Sequence, residues 1–133
     1  MRGLIAASSA VLLLAAGAGC GGDPGPDDAG LHQAIVSHQA GAEVTFDAVL
    51  VTNPAEANNH ERMEVRAGSG DQLEIDHNTA LATPVPAHQG DSIVVHGKLY
   101  IDPGSVGVHC THAHTSSGCP EAGWIKFQGN TYN

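Results

Sequence analysis

Lysine and arginine are scarce in this chain, 5 residues of 133 against 14 aspartates and glutamates, for a formal charge of −9 at pH 7. Affinity for nucleic acid rests mainly on Lys and Arg neutralising phosphates, so a surface this acidic repels the backbone and disfavours generic nucleic-acid binding. Local patterns of several large enzyme classes are also missing. There is no Gly-rich phosphate loop, no G-x-S-x-G nucleophile elbow, no H-E-x-x-H and no calcium loop. No two acids stand out as a catalytic pair, because Glu61, Glu64, Glu74 and Asp76 read as positions on solvated strand faces.

The apolar run Leu4 to Ala18 is too short to span a bilayer comfortably and lacks a basic stop-transfer flank. Behind Met1-Arg2 it reads as a secretory signal over residues 1–20. It ends in Gly17-Ala18-Gly19-Cys20, which resembles a bacterial lipobox with Gly17 where that pattern prefers leucine. Cys20 is then the lipidated N-terminus and the membrane a partner through that anchor. In the alternative, Ala16-Gly17-Ala18 is an ordinary signal-peptidase site and the domain is freely secreted or periplasmic. Both place the domain outside the cytoplasm.

Residues 21–30, rich in Gly, Pro and Asp, read as a flexible tether, and 31–133 as a single domain. Leu31, Ala34, Ile35 and His38 recur at helical spacing from a start near Asp28, and Gly41 stops the pattern. From Glu43 onward two-residue alternation and Gly, Pro and Asn punctuation predict strands. The first runs from about Val44 to Thr52 and the second from His60 to Ala67, with Met63 and Val65 inward. The third carries Leu73, Ile75 and His77 on one face, so His77 continues an apolar row. Pro84 and Pro86 make Thr79 to Gln89 an extended connection. A fourth strand places Ile93, Val95, Leu99 and Ile101 inward and His96, Lys98 and Tyr100 outward; a fifth holds Val106 to His114, and a hairpin joins Trp124–Phe127 to Thr131-Tyr132. Five strands with a long open connection between the third and fourth predict an all-β, small OB-like Greek-key barrel, with a C-terminal hairpin and a short N-terminal helix. A β-sandwich is the alternative.

Val108-His109-Cys110-Thr111-His112-Ala113-His114, with Cys119 and Gly123-Trp124 close behind, concentrates the chemistry. With Cys20 lipidated, Cys110 and Cys119 are the cysteines left in an oxidising compartment, and a disulfide is their default. The strand period sets His112 and His114 on one face with Cys110, and His109 on the other with Thr111. His112 and His77 are then companions at an inner or barrel-mouth position. Imidazoles converging there bind zinc or copper, with His77, His112 and His114 as ligands. Equally, His77 and His112 act as general acid and base in hydrolysis, or the two are semi-buried structural histidines while His60, His96 and His109 lie at the surface. Trp124 is a core or rim aromatic or a platform for a ligand. Nine histidines against five Lys plus Arg also make the net charge responsive to acid.

These residues in this order resemble the bacterial family called domain of unknown function 3465. Its members share a histidine ahead of the second strand, an A-H-N segment in the third, a V-H-W-T-H-H-D motif and a final G-W-I hairpin with a Gly turn and a Tyr. Here His60, Asp76-His77-Asn78, Val108-His109-Cys110-Thr111-His112 and Gly123-Trp124-Ile125 with Gly129 and Tyr132 occupy those places. The family's tryptophan is Cys110, its next histidine Ala113 and its aspartate His114. The resemblance implies a small secreted or membrane-tethered β-barrel and a crosslink at Cys110 in place of an aromatic. The expected protein is an extracytoplasmic, lipid-anchored binding module whose site draws on His60, His77, Asn78, His109, Thr111, His112 and Trp124 for a small ligand, a metal or an envelope protein. A small histidine-dependent hydrolase of phosphodiesters or other esters, or an envelope interaction protein without metal, are the alternatives.

Overall fold

A computed structural model describes residues 22–133. The signal segment and the lipidation expected at Cys20 lie outside the described residues. Asp27 accepts a hydrogen bond from the Gly30 backbone N–H at 2.8 Å and so caps α1, Asp28–Val36. Leu31 and Ala34 on one helical face are buried against the barrel. The helix ends before Gly41, at Ser37 and a left-handed His38 with φ of 54°. Residues read as tether also dock here: the Asp27 N–H donates to the Thr45 carbonyl, Asp28 accepts from the Asp47 N–H, and Asp23 pairs with Lys126 at 2.7 Å.

The strands are β1 (Glu43–Leu50), β2 (Ala55–Ala57), β3 (His60–Ala67), β4 (Gln72–Asn78), β5 (Ser92–Asp102), β6 (Ser105–His109), β7 (Trp124–Phe127) and β8 (Asn130–Tyr132). β1, β3, β4, β6 and β5 pair in that order, and β5 pairs back to β1, so the sheet closes on itself. All pairs in the cycle are antiparallel except β4 with β6. This is the predicted Greek-key barrel of OB type. Closure removes free edges from the five strands, and β7 and β8 extend the sheet from β5. The strand β2, unforeseen in the sequence, forms a hairpin on β3 through Asn58 and Asn59, both with positive φ, the backbone that a two-residue turn demands.

The inward rows fill the barrel with Phe46, Leu50, Met63, Val65, Ile75, Val95, Leu99, Val108 and Ile125, all essentially inaccessible. Each large apolar side chain of this kind contributes roughly 1.5–3 kcal/mol by leaving water. The connection between β4 and β5 stays extended, and it lies against the barrel with Val85 and Ala87 buried. Glu61 and His77, cross-strand partners, hold it there. The Glu61 carboxylate accepts from the Val85 N–H at 2.8 Å, and His77 Nε2 donates to the Thr83 carbonyl at 3.0 Å. Glu61 is therefore not solvated as its strand reading implied; it is 3% exposed. Flanked by two prolines without N–H groups, Val85 supplies the donor that such a carboxylate can take.

The fifth strand expected from the sequence, β6 here, stops at His109, short of the expected His114. Cys110 has φ of 58°, a left-handed residue that interrupts the alternation, so parity counted through it fails. Thr111, assigned to the face opposite His77, is fully buried and bonded to His77 instead.

Candidate metal centre

Outward positions of β1 and β5 meet across their ladder, Thr45 opposite His96 and Glu43 opposite Lys98. β7 then lies on the other side of β5, with Trp124 opposite His96. The Trp124 indole stacks on the imidazole, centroids 5.5 Å apart, and Lys126 Nζ lies 4.4 Å from the indole centroid. His96, expected at the surface, is consequently 8% exposed. Alternation placed it outward correctly, but a later strand covers that part of the outer face.

His96 Nδ1 sits 2.7 Å from Thr45 Oγ1, and Nε2 has no hydrogen-bond partner among the described residues. If Nδ1 carries the ring hydrogen and donates to the hydroxyl, Nε2 keeps its lone pair, the way a metal-ligating imidazole is usually oriented. One ligand atom each from Glu43, His96 and Glu121 lies within 4.8 Å of the others. Both carboxylate oxygens of Glu43 are buried and lack a hydrogen-bond partner. Lys98 faces Glu43 in the ladder but directs its ammonium to the Gly118 carbonyl at 2.9 Å. Burial raises the Glu43 carboxyl above its ordinary range and Glu121 adds to the rise, against an opposing pull from Lys98. Burial likewise lowers His96, opposed by Glu121 and Asp23.

Glu121 arrives on the loop after β6. The Cys110–Cys119 disulfide closes that loop, with Cα atoms 5.4 Å apart. Gly123 returns it to the barrel, donating its N–H to the His112 carbonyl at 2.8 Å. A Cβ at Gly123 would overlap the Cys110 carbonyl, so only glycine fits. The crosslink itself indicates an oxidising, extracytoplasmic setting, and no described helix is long and apolar enough to cross a membrane.

The residues singled out in the sequence are distributed around this centre. Trp124 borders it. His77 lies inside the barrel, 0% exposed, with both ring nitrogens engaged: Nε2 with the Thr83 carbonyl, and Nδ1 at 2.7 Å from Thr111 Oγ1. Because Nε2 must carry the hydrogen to reach a carbonyl, Nδ1 accepts from the Thr111 hydroxyl in the neutral ring. Burial lowers the His77 pKa, with the Thr83 bond opposing. His112 is buried too, but its Nδ1 donates to the His114 carbonyl and its Nε2 faces Cys119 Sγ at 3.8 Å. The hydrogen bonds of His77 and His112 thus run to different partners. His114 is exposed. His109 is half-buried, edge-on to Tyr100, and its pKa is lowered by burial and then by Lys98. His60 Nδ1 bonds the Asn58 carbonyl, and Asn78 Oδ1 accepts from the Ala80 N–H.

Glu43, His96 and Glu121 escaped the sequence reading as a set. Period-two alternation does put Glu43 and Thr45 on one face of β1 and His96 on the corresponding face of β5, so the ladder partners were derivable once strand pairing was known. No local pattern announces Glu121. A family model described as "Protein of unknown function (DUF3465)" matches residues 21–133. No curated protein matches. A chain in a structure of a replication protein A heterotrimer bound to ssDNA is similar at 16% identity and a TM-score of 0.42, over 50% of this chain and 51% of that one. The chain thus spans about half of that solved chain, and at this level the likeness bears on neither ligand nor activity.

Proposed function

We propose that this chain, which belongs to the DUF3465 family, is an extracytoplasmic binding module that holds a divalent transition metal, zinc foremost, through Glu43, His96 and Glu121. The observation that supports it is the bare carboxylate of Glu43, with two buried and unpartnered oxygens beside a buried imidazole and a second carboxylate. An unpaired buried charge is costly, and a cation shared among these groups offsets that cost. Imidazole and carboxylate together suit zinc, and three protein ligands leave a fourth position for water or a ligand atom. The export signal at residues 1–20 and the anchor at Cys20 belong to the same proposal.

Calorimetric zinc titration of the oxidised, chelator-treated protein tests the reading. We expect saturable binding that Glu43→Gln and Glu121→Gln each weaken by at least about tenfold, the scale of lost support at a metal. His112→Ala should leave the affinity unchanged. Protein that takes up no zinc, or an affinity that Glu43→Gln does not move, overturns it.

A further inference from the structure

We propose a second metal site, composed of Cys110, Cys119 and His112, that forms only when the Cys110–Cys119 disulfide is reduced. It goes beyond the carboxylate site, shares no ligand with it, and takes zinc or a similar borderline cation through two thiolates and His112 Nε2.

The imidazole is already set for this role. His112 is 4% exposed, so its ring is held by its surroundings. Its Nδ1 lies 2.8 Å from the His114 carbonyl, which can only accept. The neutral ring therefore keeps its hydrogen on Nδ1 and presents the Nε2 lone pair, with a backbone carbonyl fixing the tautomer as for metal-bound histidines. That lone pair points at Cys119 Sγ, 3.8 Å away, where a disulfide sulfur has no hydrogen to give. Zinc–sulfur and zinc–nitrogen bonds of about 2.3 and 2.0 Å in a tetrahedron separate the two ligand atoms by roughly 3.5 Å. Nitrogen and sulfur are thus close to the separation that a shared metal requires.

The loop has ties that do not depend on the crosslink. Lys98 Nζ holds the Gly118 carbonyl, the Ser116 N–H donates to the Cys119 carbonyl, and the Gly123 N–H holds the His112 carbonyl. Cys110 is itself 3% exposed, at the end of a closed-barrel strand.

The chemistry balances through an external dithiol. Attack of its thiolate and completion of the exchange break the Cys110–Cys119 bond, leaving two protein thiols while the reductant becomes a disulfide. Metal binding then displaces two thiol protons to solvent. Reoxidation by a disulfide oxidant removes both thiolates and expels the metal. The barrel so becomes a holder whose second site opens with electrons and closes without them.

Cobalt(II) titration tests this, because thiolate ligation gives a sulfur-to-cobalt charge-transfer absorption that a carboxylate and imidazole site lacks. The protein is reduced anaerobically with a phosphine, desalted and titrated beside the oxidised protein, with the near-ultraviolet circular dichroism of Trp124 recorded. We expect the band in the reduced protein alone, its loss in Cys119→Ser, and at least about tenfold weaker cobalt affinity in His112→Ala. No band on reduction, or an affinity indifferent to His112→Ala, overturns the proposal. So does collapse of the Trp124 signal on reduction, since His112 is then no longer held beside Cys119. Glu43→Gln should leave the band intact, which separates this outcome from that of the carboxylate site.

Discussion

His77 shows how one side chain sets a pH dependence. Burial lowers its pKa in the native state, whereas the unfolded chain protonates it near 6.5. Above that pH both states are neutral and its contribution to stability is fully present. As pH falls below 6.5, the unfolded chain takes up a proton that the native ring refuses, and stability drops until the native ring protonates in turn. The limiting slope is about 1.4 kcal/mol per pH unit for one group. His96 and His109, also lowered, act in the same direction. Glu43, Glu61 and Glu64, raised above 4.5, act oppositely at lower pH, where the native state binds protons first and stability recovers. Urea unfolding at a series of pH values should therefore show a shallower acid loss for His77→Gln than for the parent protein. Parallel slopes would show that His77 is not the group responsible. At neutral pH the variant should lose about 1–3 kcal/mol, because the His77 hydrogen-bond partners inside the barrel lose their mates.

At the scale of elements, the Thr79 to Gln89 connection has neither helix nor strand between Thr83 and His88, yet Val85 and Ala87 are buried. Extended backbone must place its donors and acceptors somewhere, and here Glu61 on β3 and His77 on β4 receive them. Glu61→Ala should free the Val85 amide and cost about 1–3 kcal/mol. Hydrogen exchange offers the direct check: Val85 should lose protection while the amides of β1 keep theirs. Unchanged protection at Val85 would show that packing alone holds the connection. The loop from Cys110 to Gly123 follows the same logic, tied by a crosslink and a few hydrogen bonds rather than by a ladder. The carboxylate centre depends on it, because Glu121 is the one of the three groups not carried by a barrel strand.

For the molecule as a whole, closure of five strands and a short-range crosslink contribute independently. The chain-entropy model assigns a disulfide spanning 9 positions about 2.5–3 kcal/mol, by restricting the unfolded chain. Reduction should therefore lower the urea midpoint by that equivalent and leave the transition cooperative, because the barrel cycle does not run through residues 110–119. A reduced protein without a cooperative transition would mean that the crosslink is a condition of folding. Zinc should raise the midpoint of the oxidised protein in proportion to the logarithm of its concentration above saturation, and Glu43→Gln should remove most of that gain.

The strands, their inward rows and the Greek-key barrel were legible in the sequence because alternation is a local property of extended backbone, repeated along each strand and reinforced by turn residues at its ends. Pairing of Cys110 with Cys119 was legible for a simpler reason, since an oxidising compartment leaves two nearby cysteines little else to do. Tertiary structure decided the partners of the histidines. A single left-handed residue, Cys110, reset the parity counted along the strand and brought Thr111 onto His77. A later strand, β7, covered His96 with Trp124, and a crosslinked loop delivered Glu121 to Glu43. Such juxtapositions arise from chain closure over many residues and from side-chain packing, which no local period encodes.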